Sequence, residues 1–388
     1  MLTLLKHVEV YAPEREGRCD LLLGGGRILR MEPDIRIPRR YAEVIDGRNH
    51  LAVPGFIDGH VHLMGGGGEG GFATRTPELP LADAIAGGVT TVVGCLGTDG
   101  ITRSMPGLLA KARGLEEEGL STYLYSGSYG LPLRTLFPTL EEDLLHLDKV
   151  IGAGEVALSD HRSSQPTFEA FAALVGEARR GGMLSGKAGL VHVHMGDGVR
   201  GLEFLRRVLA ETEIPPTQML PTHINRNARL FEEGLAYAKA GGFVDVTTST
   251  LPSYLQAGEV PCPKALRRLL EAGVDPGHIT FTSDGQGSLP DWDEAGRLRG
   301  ISVGRVTSLF AAVRQAVQEE GIPLETALRV ITANPARLLK LRGKGRLAPG
   351  QDADVVLLDA KDLQVRTVIA KGRLLMKGGK ALVKGIYA

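Results

Sequence analysis

Short apolar runs alternate with helix-like amphipathic stretches through most of this chain, and that alternation sets the expected fold before any single residue is considered. Strand-like runs fall at Phe56 to His62, Thr90 to Leu96, Thr122 to Ser126, Val150 to Leu158, Leu190 to His194, Met219 to His223, Phe243 to Thr247 and Ile279 to Ser283. Helical periodicity separates most of them, at Pro80 to Ala86, Met105 to Glu118, Thr167 to Arg180, Arg200 to Glu211, Ala228 to Ala240 and Lys264 to Ala272, several with glycine close behind as a stop. Eight strands interleaved with helices predict an α/β fold, a (β/α)8 TIM-like barrel whose site lies at the carboxyl ends of the strands. An open doubly wound sheet is the alternative arrangement.

The two ends of the chain read differently. Leu4 to Tyr11, Asp20 to Leu23, Arg27 to Met31 and Ala42 to Asp46 are short strand candidates parted by turn signals such as Gly24-Gly25-Gly26 and Asp46-Gly47. Ala353 to Asp359, Val365 to Ile369 and Arg373 to Met376 repeat the pattern at the other end. Neither set has enough apolar surface for its own core, so the two are expected to pair. The resulting division is a small β-sandwich domain from residues 1–53 plus 344–388 and a barrel from residues 54–343.

Composition narrows the class without naming a reaction. Of 388 residues, 43% are hydrophobic and 23% charged, the make-up of an ordinary globular protein. Lys plus Arg and Asp plus Glu both number 45, so no overall field recruits nucleic acid or an anionic membrane. Three scattered cysteines, Cys19, Cys95 and Cys262, give no disulfide framework and fit a reducing compartment. No apolar run approaches the ~20 residues of a membrane span. The start of the chain lacks the basic and apolar segments of a secretion signal, so a cytoplasmic location is expected.

The chemistry-bearing residues gather where the barrel would place a site. His60 and His62 end the first strand on one face, since side chains at i and i+2 of a strand point the same way. Glu155 lies in the fourth strand, His192 and His194 end the fifth, His223 ends the sixth, and Asp284 follows the eighth. Ten histidines placed at random would seldom put five at strand ends. Imidazoles and carboxylates in this number suit a pair of divalent ions, zinc above all, which takes nitrogen and oxygen ligands and generates hydroxide at neutral pH.

The His-x-His after Gly55-Phe56-Ile57-Asp58, the histidines after strands five and six, Asp284, and the tail Thr332 to Ala336 followed by Gly350 to Val356 resemble the amidohydrolase superfamily over nearly the whole chain. Seven blocks in order are similar to its isoaspartyl (β-aspartyl) dipeptidase members: Gly65 to Glu69, Gly94 to Asp99, Ser128 to Gly130, Ser159 to Ser163, His194 to Asp197, Thr222 to Arg226 and Ser283 to Ser288. The resemblance implies two Zn2+ per chain held by His60, His62, His194, His223, Asp284 and a bridging carboxylate. It implies β-aspartyl dipeptides as substrates and a homo-oligomer, as large as an octamer. It gives Asp284 the role of general base and acid and Tyr129 that of oxyanion stabiliser. Glu69 would meet the substrate ammonium, Arg162, Arg226 and Ser288 its carboxylates, and Thr98 the leaving residue. His192 is expected behind the ligands, because the family's ligand aligns with His194.

One position departs from that pattern. The family's bridge is commonly a carbamylated lysine seven residues ahead of the arginine in the Ser-Asp-His-Arg block, and here that position is Glu155. No lysine lies between Lys149 and Lys187, and Lys149 belongs at the strand's entrance. Glu155 is therefore expected to bridge the metals itself, with a shorter side chain and without carbon dioxide.

Overall fold

The computed structural model describes residues 2–292, 297–383 and 385. Strands Phe56–Val61, Val89–Gly94, Ser121–Ser126, Val150–Leu158, Leu190–Met195 and Met219–Thr222 form one parallel sheet in chain order. Val244–Thr247 and Ile279–Thr282 continue it as a parallel pair. The two pieces join edge to edge: Ile224 N donates to Asp245 O at 3.3 Å, and His62 N donates to Gly285 O at 2.8 Å, bringing the last strand beside the first. The eight strands curl into a parallel barrel, as the alternating pattern predicted. Each is buried on both faces, which is why its sequence reads as a continuous apolar run rather than an alternation.

The polar layer inside the barrel is closed by short hydroxyl side chains. Asp245 accepts hydrogen bonds from Thr222 (2.6 Å), Thr280 (2.7 Å) and Thr282 (2.6 Å), which ties the sixth, seventh and eighth strands at one level. Below it, Ile57, Ile151, Leu190 and Leu220 from the early parts of the strands pack with Leu338, Leu339 and Leu341 into an apolar plug. The plug seals the entry end, so a ligand can reach the interior only from the carboxyl end.

The terminal strands form a nine-stranded sheet built from both chain ends. Leu2–Tyr11 pairs along its length with Arg15–Gly24, while its other edge is shared between Ala42–Asp46 and His50–Pro54. That shared edge folds the module although its hydrogen bonds are continuous. His50–Pro54 pairs antiparallel with Val355–Asp359, which closes the module across the chain. Only Gly55 separates this strand of the terminal sheet from Phe56, the start of the first barrel strand. Lys344 pins the module to the barrel, donating to Asp354 at 2.5 Å and to Ser121 at 2.6 Å.

Two elements that the sequence pattern did not announce roof the carboxyl end. They are the hairpin Ser288–Trp292 with Leu298–Val303 and the short helix Pro252–Gln256. Tyr254 of that helix donates its hydroxyl to Pro290 O at 2.9 Å, fastening helix to hairpin.

Candidate metal centre and substrate cavity

Glu155 is wholly buried and lies between two pairs of imidazoles. Its Oε2 faces His60 Nε2 at 3.2 Å and His62 Nε2 at 3.5 Å. Its Oε1 faces His194 Nδ1 at 2.7 Å and His223 Nε2 at 3.3 Å. A bulge accounts for this aim: Ala153 pairs with Val191 but Val156 with Val193, so the fourth strand carries one extra residue at Glu155. Gly154 beside it must lack a side chain, since a Cβ there would lie 2.7 Å from His192 O. Asp284 completes the first pair, its Oδ1 3.0 Å from His62 Nε2 and 3.5 Å from His60 Nε2.

The loops past the strands turn these side chains inward. His223 (φ 61°) and Asp284 (φ 52°) both adopt left-handed backbone, uncommon for residues with a side chain. Turn bonds hold them there, from Arg226 N to His223 O at 2.9 Å and from Gly287 N to Asp284 O at 3.0 Å. A Cβ on Gly287 would lie 2.4 Å from Asp284 Oδ1, so this glycine makes room for the carboxylate.

The electrostatics are those of a cation site. Burial opposes charge on His60, but Glu155, Cys95 and Asp284 together outweigh it and lift the imidazole well above its ordinary range. Glu155 is held well below the usual carboxylate range, the surrounding imidazoles overcoming the cost of burial, and Asp284 is lowered to about 2 in the same way. Burial lowers His223 to about 3, so that ring stays neutral with a free lone pair. Glu155 Oε2, Asp284 Oδ1 and His60 Nε2 are buried without a hydrogen-bond partner. Nitrogen and oxygen ligand atoms crowded together without donors facing them fit divalent ions such as zinc.

Three of the four imidazoles are steadied from behind. Asp160 Oδ2 lies 2.9 Å from His194 Nε2, Thr247 Oγ1 2.6 Å from His223 Nδ1, and Cys95 Sγ 3.8 Å from His62 Nδ1. Such outer partners fix the tautomer and orientation of a metal-binding histidine. Sequence reasoning assigned no role to any of them, although Asp160 stands in a block it singled out. His192 has no hydrogen-bond partner and lies flat on Tyr125, ring centroids 4.8 Å apart, which makes it a core residue. Lys149 is far from the cluster, bonded to Glu116 at 2.5 Å and to Thr122 at the strand's entrance.

Above the cluster opens a cavity of ≈ 670 Å³ lined by Glu69, Thr98, Tyr129, Arg162, Arg226 and Ser288 as well as His62, His194, His223 and Asp284. Every substrate residue named from sequence therefore lines this cavity. Glu69, carried by the glycine loop, accepts from Thr98 at 3.0 Å, from Arg162 NH1 at 3.1 Å and from Ser288 at 3.5 Å. Thr98 thus meets Glu69 directly. The Tyr129 hydroxyl lies 2.9 Å from His194 Nδ1, and burial with the nearby Glu155 pushes its pKa well up, so it stays a neutral donor. Arg226 Nε is buried and unpartnered. A second cavity of ≈ 750 Å³ at the entry end, bordered by Arg27, Lys149 and Lys344, contains none of these groups.

A crystal structure of β-aspartyl dipeptidase from Fervidobacterium islandicum AW-1, in complex with β-Asp-Leu dipeptide, superposes with a TM-score of 0.91 at 45% identity, covering 98% of each chain. The profile of the amidohydrolase family matches residues 256–375. The chain belongs to the amidohydrolase family, among its β-aspartyl dipeptidases. An allantoinase of Deinococcus radiodurans is 28% identical over 92% of this chain and 86% of its own. The crystal structure of dihydropyrimidinase from Brevibacillus agri aligns at 16% identity with a TM-score of 0.69, covering 99% of this chain and 97% of its own. Metal dependence is a property of the family, and the buried cluster is where this member would meet it.

Proposed function

We propose that this enzyme hydrolyses the isopeptide bond of β-aspartyl dipeptides, with two divalent ions, zinc by preference, held by His60, His62, Asp284, His194 and His223 and bridged by Glu155. The observation that supports it most is the division of the Glu155 carboxylate between two histidine pairs, directly beneath a wall carrying Glu69, Arg162 and Arg226. Bound metals would supply Lewis acidity and a nucleophile at neutral pH.

The remaining work falls to side chains. A β-aspartyl dipeptide carries one ammonium and two carboxylates, and the cavity offers Glu69 for the first and two guanidinium forks, with Ser288, for the others. Glu69 and Arg162 pair with each other at 3.1 Å, so a zwitterionic substrate would replace a bond of the same kind. Asp284 takes a proton from the attacking water and delivers it to the departing amine. Tyr129 donates to the carbonyl oxygen as charge builds on it. The products are aspartate and a free amino acid.

The homo-oligomer and the cytoplasmic location expected from sequence stand as parts of this proposal. Among the described residues, no helix is long and apolar enough to cross a membrane. The test is a substrate panel on metal-analysed protein: β-Asp-Leu beside α-Asp-Leu, dihydroorotate, hydantoin and N-acetyl amino acids. Turnover confined to a cyclic amide or an N-acyl amino acid would reject the reading.

A further inference from the structure

We infer that Asp160 is a positioning residue that holds the metal-facing His194 and the substrate-facing Arg162 with one carboxylate. Asp160 is 5% exposed and sits in the turn after the fourth strand. Its Oδ2 lies 2.9 Å from His194 Nε2 and 2.8 Å from Arg162 NH2. Its Oδ1 accepts from the Arg162 backbone N at 2.7 Å and from Arg162 Nε at 3.0 Å. An ionised carboxylate has about four acceptor positions, and here four donors fill them.

Each bond has a consequence at the site. With Nε2–H committed to Asp160, His194 keeps its proton on that nitrogen and turns the lone pair of Nδ1 toward Glu155. His194 is the one imidazole of the four that meets Glu155 through Nδ1, so it needs a partner on the opposite nitrogen that accepts. Arg162, gripped by Nε and NH2, has its NH1 left for Glu69 at 3.1 Å. The guanidinium plane is thereby fixed before a substrate arrives. The surrounding backbone is built to the same end: Gln165 Nε2 donates to Asp160 O at 2.9 Å, and a Cβ on Gly196 would lie 2.6 Å from Asp160 Cα. The fifth-strand loop can pass this closely only as glycine.

The substrate half of this inference rests on the β-aspartyl dipeptide reading, whereas the metal half does not. Asp160→Asn keeps the shape but sets an amide N–H₂ against donors. Dialysed against buffered free Zn2+, that variant should bind one of its two ions about 10–100-fold more weakly, the usual effect of losing such a partner. Its KM for β-Asp-Leu should rise about tenfold or more. Arg162→Ala is the control, expected to raise KM while keeping both ions, because Asp160 still holds His194. Full zinc affinity in Asp160→Asn overturns the inference, and so does zinc loss of equal size in Arg162→Ala. Absence of β-Asp-Leu turnover by the unaltered enzyme would reject the substrate reading and leave the zinc comparison decisive.

Discussion

Oε1 of Glu155 lies 2.7 Å from Nδ1 of His194. A carbamylated lysine at this position would carry a longer side chain, and the strand bulge at Glu155 brings the shorter carboxylate in among the imidazoles. In the proposed centre the bridge is part of the polypeptide, and carbon dioxide has no part in forming it. Zinc content and turnover are expected to be indifferent to added bicarbonate, and Glu155→Gln should lose metal and activity together. Two ions per chain and undiminished turnover in Glu155→Gln, read by metal analysis and β-Asp-Leu assay, would contradict this.

Asp284 lies 3.0 Å from His62 and on the cavity wall, where the proposed mechanism has it serve both metal and substrate. Without its carboxylate the water loses its proton acceptor and the leaving amine its donor. Asp284→Ala should lower kcat by roughly two orders of magnitude or more, with its circular dichroism unchanged. Near-native kcat in that variant is the outcome that removes Asp284 from the mechanism.

Glu69 receives three hydrogen-bond donors, and a substrate ammonium would take its place among them. Acetylating the α-amino group of β-Asp-Leu removes the charge and adds bulk at that point. Most activity should disappear, chiefly through KM. Equal kcat/KM for the blocked and free dipeptides would mean that Glu69 has another task.

The barrel was legible because strands buried on both faces read as apolar runs, and each of the eight appears within a few residues of its expected bounds. The clustered histidines and carboxylates were legible for a related reason: the carboxyl ends of strands are fixed points of this fold, and histidine there is conspicuous. Asp160, Thr247 and Cys95 were not, because their role depends on which nitrogen of a histidine they face, and spacing along the chain carries no such information. The hairpin Ser288–Trp292 with Leu298–Val303 was missed because its second strand is largely exposed and alternates too weakly to stand out.

Glu259 lies on the cavity wall near Arg226, and burial raises its carboxyl from 4.5 to about 7. Among the described residues no ion pair compensates for that burial. In the unfolded chain the same group titrates near 4.3. Between these values the unfolded state has released its proton while the folded state retains it, so stability falls as pH rises through the window. Below about 4 the group contributes no such penalty; above about 7 the full cost is present. Glu259→Gln removes the ionisation and leaves the shape. The variant should match the parent in melting temperature at pH 4.5 and exceed it at pH 8, where the stability difference is on the order of 3 kcal/mol for a shift of this size. Thermal melts of the metal-loaded proteins across that range measure it. A constant difference at every pH would show that the gain comes from packing, and a lower melting temperature at pH 8 would show that ionised Glu259 supports the fold through Arg226.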